Sequence, residues 1–558
     1  MKSGCRKVYF TILILTLVSF NGIKAQHTSI KVDTLITLID GHYAPFNALM
    51  PGDTILLQPG LRPYLLFRNI QGAPELPVII MNDKGLVRIN SNHYFGISVQ
   101  KSRYFKITGT GDPAIFYGFK IERVMNGAGI GIGAGSSDFE IDHISISNTS
   151  IAGIYAKTDP DCELNFTRDK FTQFNTVIHD TYIENSGNEG MYIGNTKYFG
   201  QSVTCGETDT LLLPSLLSGV RIFNNIIKNP GWDGIQVSSA STDCSVFNNV
   251  VTGDSWAEQF NQMSGIIIGG GSKCDCYNNY IANGKGNGIE SHGIGDYKIF
   301  NNIIVNAGKE YNPGDYQQMK YGIFLTDVST VPGSSYALVH NNIINPKSDG
   351  IRFLSTLSNA NLIASNLIVN PGNFDFYQNG GTSFHGEDSY IMIPDLSIDA
   401  LLTNNFLTRN INDAGIDTVN FTIMNNSPLT DSGYHAAGVL FDHYNKPRPY
   451  GAGYDIGAFE FNPQYLGLEN MPEQPEIKLY PNPANNNVFI SVRSEGTVEK
   501  ITIKIYSIEG RLVMHQTENL AHDLNPIFFN VKFLKSGLYF CAICGTNWNK
   551  TGKLIIGH

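Results

Sequence analysis

Between residues 126 and 371 the hydrophobic positions follow one recurring phrase: a glycine, then aliphatic residues one and three places later, with polar or aromatic residues between them. Copies begin at Gly129, Gly153, Gly190, Gly234, Gly265, Gly288, Gly322 and Gly350. The apolar positions alternate, as in Ile154/Ala156, Ile235/Val237, Ile266/Ile268 and Ile323/Leu325. Period two predicts short strands with one face in a core, not helices. A second phrase, aliphatic-x-Asn-Asn-x-Ile, carries the pairs at Asn224 and Asn225, Asn248 and Asn249, Asn278 and Asn279, Asn301 and Asn302, and Asn341 and Asn342. The tightest glycine spacings are roughly 23 residues, within the range of solenoid repeats. One short period makes one coil, so the pattern predicts an all-β chain whose main body is a right-handed parallel β-helix. Wider spacings are then coils that carry insertions, and insertions in such arrays fall on the binding face.

Stacked asparagines at successive bends can bond to each other and to the turn backbone, so the Asn pairs read as structural. Earlier coils put Asp142-His143 and His179-Asp180 in the same slot, and later ones put Ser365-Asn366 and Asn404-Asn405 there. His143 and His179 are accordingly expected to be turn residues.

Around this array the chain divides into four parts. Residues 1–25 read as a secretory signal, with Lys2, Arg6 and Lys7 ahead of an apolar run too short to span a bilayer. Residues 26–462 are expected to form the β-helix, opened by an N-terminal cap that protects unpaired strand edges. Near its end, Asp455 and Arg448 read as pairing and turn groups that terminate the stack. Residues 463–476, with Pro463, Pro472 and Pro475, read as a linker. Residues 477–558 hold short alternating strands that suggest a small β-sandwich. A net charge of −10 provides no basic surface for nucleic acid. No apolar stretch after the signal reaches membrane length, so no transmembrane segment is expected in the mature chain, and a monomer is expected.

Eight cysteines include one in the signal, leaving an odd number for an oxidising compartment. Cys162 and Cys205 lie in consecutive insertions and are the disulfide candidate. Cys244, Cys274 and Cys276 all face inward by alternation, as buried thiols or as a bridge. Cys541 and Cys544 lie in a sandwich strand with no second pair to complete a zinc site.

With glycine as the reference, residues two and four places later point outward. The first column reads Tyr155, Tyr192, Gln236, Ile267, Glu290, Phe324, Arg352, and the second begins with Lys157 and includes His292. Glu189 and Asp233 each precede a glycine in neighbouring coils, so they are expected to stack. Two carboxylates so placed share a proton or a cation, making them candidates for an acid/base pair or for a Ca²⁺ site. Tyr155, Tyr192, Trp232 and Gln236 provide aromatic faces and polar groups of the kind that bind sugars. Lys157 is a candidate base for removing a proton next to a uronate carboxylate. Glu290 and His292 are expected to form a separate subsite.

The motifs Leu479-Tyr480-Pro481-Asn482-Pro483, Tyr506-Ser507-Ile508-Glu509-Gly510-Arg511, Gly537-Leu538-Tyr539 and Lys553-Leu554-Ile555-Ile556 resemble the C-terminal sorting domain of type IX secretion cargo in the Bacteroidetes. The resemblance implies recognition by that machinery, then release or attachment at the cell surface. The repeats resemble the pectate-lyase-like superfamily, and Pro51-Gly52-Asp53-Thr54-Ile55 is similar to the opening of alginate- and chondroitin-lyase β-helices. Their Lys and Arg catalytic pair and calcium ligands have no matching positions here. The first functional expectation is an exported enzyme cleaving an acidic or plant-type polysaccharide by β-elimination or hydrolysis. The second is a non-catalytic surface protein that binds glycans or mediates adhesion.

Overall fold

The computed structural model describes residues 27–311, 320–372, 390–462, 476–480, 484, 487–493, 499–507, 512–520, 527–544 and 549–557. Its main body is three parallel sheets of 13, 12 and 12 strands. The chain visits them in fixed order within each coil, and they are called here sheets I, II and III. One full coil runs through Ser137–Asp142 in sheet I, Ile144–Thr149 in sheet II and Ile154–Ala156 in sheet III. It then passes to the next sheet I strand, Thr172–His179. Every strand bonds to its counterpart one coil away, as in Ile154 with Met191, and Met191 with Ile235. Period two is visible in the burial: Ile154 and Ala156, Ile235 and Val237, and Ile266 and Ile268 are fully enclosed. Together with the inward residues of the other two sheets they form one continuous core.

The bend from sheet I to sheet II is held by a ladder of buried asparagines. Asn225, Asn249, Asn279, Asn302, Asn341, Asn366 and Asn405 each donate from Nδ2 to a backbone carbonyl. Each of the first six also donates Nδ2 to the Oδ1 of the next at 2.9–3.0 Å. That same Oδ1 accepts the backbone N–H of the rung before it. The residue ahead of each rung is left-handed, with φ between 53° and 56° at Asn224, Asn248, Asn278 and Asn301. Asparagine tolerates that conformation better than most residues.

Register corrects the slot assignment for the early coils. Asp142 pairs with His179, and His179 with Phe223, so the bend holds His143 and Asp180 instead, both with positive φ. His179 is a sheet I residue on the outer face, where its ring stacks on Phe223. The pair at Asn341 and Asn342 also slides by one: His340 is the left-handed residue, Asn341 the rung and Asn342 a strand residue.

At the N-terminal end Ser29–Val32 already pairs in sheet I, so the first coil begins almost where the described chain does. Arg62 is buried there and donates to the carbonyls of Val32, Asp33, Ile36 and Gln58. Asp455 accepts the N–H groups of Asp431 and Phe461, and Arg448 pairs with Glu460 at 2.6 Å. This closing segment lies along the side of the last coils, not across their end: Arg448 also reaches Asn301, and Ala458 N–H bonds to Asn342. Cys162 is bridged to Cys205 and Cys244 to Cys274, leaving Cys276 as a buried thiol in the core. The C-terminal strands form antiparallel sheets of three and four strands around Val488, Ile503, Ile505, Phe529 and Leu554. Cys541 is a buried free thiol of that core. The side chain of Cys544 and the expected linker, apart from Glu476, lie outside the described residues.

Removing an interior rung orphans buried donors and acceptors on both neighbours. Asn279→Ala is therefore expected to lower stability by about 3 kcal/mol, read as a fall in the urea midpoint at unchanged slope. Asn405→Ala, at the half-buried last rung, is expected to cost about 1 kcal/mol.

Candidate active site

The outer face of sheet III presents one continuous column. Tyr155 pairs with Tyr192, Tyr192 with Gln236, Gln236 with Ile267, Ile267 with Glu290, Glu290 with Phe324 and Phe324 with Arg352. At its N-terminal end the rings of Tyr155 and Tyr192 lie 5.2 Å apart, with the Lys157 ammonium 5.4 Å from each. Lys157 also pairs with Asp159 at 2.7 Å. Burial alone would lower its pKa, but Tyr192, Tyr155 and Asp159 outweigh it and hold the ammonium above its ordinary range. That direction is opposite to what the candidate base role requires.

Glu189 and Asp233 occupy equivalent places, since Gly153 N–H bonds to the Glu189 carbonyl and Gly190 N–H to that of Asp233. Burial pushes the Glu189 carboxyl up to about 7. Asp233 is fully enclosed, and burial raises it well above the usual range, reinforced by Glu290, Glu189 and Asp254. Neither Asp233 oxygen has a hydrogen-bond partner, nor do Gln236 Oε1 and Ser238 Oγ on the same coil. Buried polar atoms left this way call for a partner such as water, an ion or a ligand. Trp232, half-buried, is held by its backbone between Asn188 and Ser255.

Glu290 has the opposite environment. It accepts from Ser264 at 2.6 Å and Asn287 at 2.8 Å, and lies 2.7 Å from His292 Nε2, whose Nδ1 meets Thr326. Burial would raise Glu290, but His292, Ser264 and Asn287 hold it below the ordinary carboxylate value. By strand register this cluster lies two coils from Asp233. Ser264, one coil nearer Asp233, draws the carboxylate back, and Glu290 is the largest charge acting on Asp233.

Two further charged groups belong to the site, and both lie on insertions between sheets II and III. Asp254 follows strand Val250–Thr252, is buried, and is raised to about 6 by that burial. Its carboxyl fills the space beside Gly284, where any Cβ would collide with Oδ2. Lys320 faces Glu290, Asp233 and Asp254, and burial lowers its pKa against their attraction. Neither residue sits on a repeat column, so column reading passes over both. The only sequence signal for Asp254 is its place immediately after the Val250–Val251 strand phrase and Gly253.

Calcium at Glu189 and Asp233 would have to draw further oxygens from around them. Such an ion takes six to eight oxygens. Among the described residues, the one group of three His or acidic ligand atoms lying within 4.8 Å of one another is Glu140, Asp142 and His179, on the outer face of sheet I. Those residues could hold a metal ion, although Lys106 Nζ already lies 2.8 Å from Asp142.

A right-handed β-helix region is recognised over residues 217–393, and a secretion system C-terminal sorting domain over residues 478–557. The chain is thus a right-handed parallel β-helix protein carrying a type IX secretion tail, and it is secreted or held at the cell surface. Among the described residues no helix is long and apolar enough to cross a membrane. No curated protein sequence matches. Solved structures similar to this chain include an alginate lyase from Paenibacillus sp. strain FPU-7, 15% identical over 58% of this chain and 95% of that one, with a TM-score of 0.35. They also include pectate lyase Pel9A, 12% identical over 78% and 98%, with a TM-score of 0.37. A GH136 lacto-N-biosidase from Eubacterium ramulus is 12% identical over 69% and 68%, with a TM-score of 0.36.

The raised carboxyls carry a linkage consequence. A carboxyl whose folded pKa lies above its unfolded value stabilises fully below the unfolded value and loses that contribution as pH rises through the folded one. For Glu189 and Asp254 the windows run from 4.5 to about 7 and from 3.8 to about 6. Stability is expected to fall as pH rises through those windows, and Asp233→Asn is expected to offset part of the loss. Thermal melts of that variant should match wild type at about pH 4 and exceed it by a few degrees at about pH 8.

Proposed function

We propose that this protein is an exported enzyme that hydrolyses glycosidic bonds in a polysaccharide laid along the outer face of sheet III. Asp233, enclosed in the free protein, is the general acid once the seated glycan uncovers its carboxyl, and Glu290 is the carboxylate that activates water or attacks the sugar. The observation that carries the proposal is the contrast between two adjoining carboxyls: Glu290 is held by Ser264, Asn287 and His292, whereas buried Asp233 has no hydrogen-bond partner. Glycoside hydrolysis needs one carboxyl protonated while the other is ionised. At their ordinary values, 3.8 for Asp and 4.5 for Glu, no pH satisfies both well. Raising Asp233 and lowering Glu290 opens that window, and environments that push two carboxyls apart mark acid and base roles.

The remaining groups fit around this pair. Burial and the Glu290 charge keep Asp233 protonated, and Glu189 adds to this as it ionises at about 7. Tyr155 and Tyr192, bridged by Lys157, and half-buried Trp232 extend the face toward earlier coils, where sugar units beyond the scissile bond would lie. The proposal routes no step through calcium.

A second reading, β-elimination on a uronate-containing chain, is favoured by one observation. Lys320 is a lysine with a lowered pKa among the same carboxyls, a state suited to proton abstraction. Products separate the two. A panel of neutral and uronate polysaccharides, followed for new reducing ends and for ultraviolet-absorbing unsaturated ends, is expected to give reducing ends alone. Asp233→Asn and Glu290→Gln should each lower kcat by roughly 10²–10⁴-fold, while Lys157→Ala raises KM with little change in kcat. Chelation should leave the rate unchanged. Unsaturated ends lost in Lys320→Ala would replace hydrolysis with elimination, and retained binding without any product would leave a glycan-binding protein.

A further inference from the structure

The bend between sheets I and II carries a second polar groove, separated from the carboxyl cluster by the width of sheet II. Its volume is about 290 Å³, and it is lined by Asn224, Asn248 and Asn278 on one side and by Tyr280, His443 and Tyr444 on the other. The three asparagines are the left-handed residues ahead of consecutive ladder rungs, with φ of 56°, 55° and 55°. They repeat at the coil spacing of about 4.8 Å, so their amides form a row.

What distinguishes this row is its missing bonds. In the next coil Asn301 donates to the Phe441 carbonyl at 2.7 Å and accepts from Arg448 at 3.2 Å. Other exposed asparagines bond across coils, as Asn229 does to Asn185, Asn306 to Asn283 and Asn370 to Asn345. The side chains of Asn224, Asn248 and Asn278 have no hydrogen-bond partner among the described residues. Asn278 is 9% exposed, and its Oδ1 is buried without a partner. Such an oxygen costs free energy unless something fills its bond.

The facing wall belongs to the closing segment. His443 donates Nδ1–H to the Asn301 carbonyl at 2.9 Å, and Asp442 fixes the turn by accepting the N–H groups of Tyr444 and Lys446. Tyr444 packs edgewise on His443 and against Phe459, with 55% of its surface exposed. Burial holds His443 neutral, and no acidic or basic side chain lines the groove.

We propose that this groove is an accessory binding site for a neutral glycan chain. Amides both donate and accept, which matches sugar hydroxyls, and an exposed tyrosine provides the apolar contact for a sugar ring. The lack of charge disfavours uronates, so the site selects a different part of a polysaccharide, or a different polysaccharide, from any that depends on ionic contacts.

The test uses isothermal titration of the full secreted protein with cellohexaose, xylohexaose, mannohexaose and laminarihexaose, and with hexagalacturonate as the charged comparison. At least one neutral hexasaccharide is expected to bind. Asn248→Ala and Tyr444→Ala should each weaken that binding about 5- to 10-fold, without changing the melting temperature or the rate of polysaccharide cleavage. Asn278→Leu, which fills the groove, should abolish it. Binding of no neutral probe, binding that survives all three substitutions, or equal binding of hexagalacturonate would overturn the proposal.

Discussion

Coil-to-coil hydrogen bonding at the bend between sheets I and II is the constraint on which the rest of the molecule depends. A parallel β-helix pairs its strands automatically, but each bend leaves amides that no sheet reaches. From Asn225 to Asn405 one asparagine per coil satisfies them: its Nδ2 serves the next rung and a strand carbonyl, and its Oδ1 accepts two donors from the rung before. Because each rung bonds to the next, every bend takes the same shape. Uniform bends keep successive strands in register over the whole stack, and register decides which side chains become neighbours.

That register generates the proposed catalytic chemistry. It stacks Glu189 over Asp233 and brings the Glu290 carboxylate back toward them through Ser264. Stacking alone would leave three solvated carboxylates with ordinary behaviour, since water screens such charges strongly. The insertions after Val250–Thr252 and Ile303–Val305 change this, because both interrupt the path from sheet II to sheet III beside the same carboxyls. They add Asp254 and Lys320 beside a fully buried Asp233. The repeat supplies positions, and the interruptions supply the low-dielectric surroundings that set the protonation states.

This division explains what could be read from the chain. The columns through Tyr155, Tyr192, Gln236 and Glu290 were legible because a glycine reference plus period-two alternation fixes orientation residue by residue. Stacking of Glu189 on Asp233 followed from the same count. Asp254 and Lys320 were not legible, because an insertion has no register to count from. The lean of the Glu290 carboxylate toward the coil of Ser264 was also hidden, because it depends on side-chain direction, set by Ser264 and Asn287. The slip at His179 has a different cause. In Asp142-His143 and His179-Asp180 neighbouring polar residues fit the bend equally well in either frame, and only the strand pairing chooses.

The left-handed position ahead of each rung shows that conformation does not account for every residue in the repeat. His340 and Ser365 adopt the same positive φ as Asn224, Asn248 and Asn278, so the bend does not require asparagine there. Where the closing segment covers this row, the residues bond to it: His340 to the Asp455 carbonyl, Ser365 to the Tyr434 N–H, and Asn301 to Phe441 and Arg448. Where the segment turns away, three asparagines remain in sequence with their amides unspent. A bend that tolerates histidine and serine would tolerate them in those coils as well. The amides of the open coils are thus the ones left free for the proposed glycan, and the place they share is the groove beneath Tyr444.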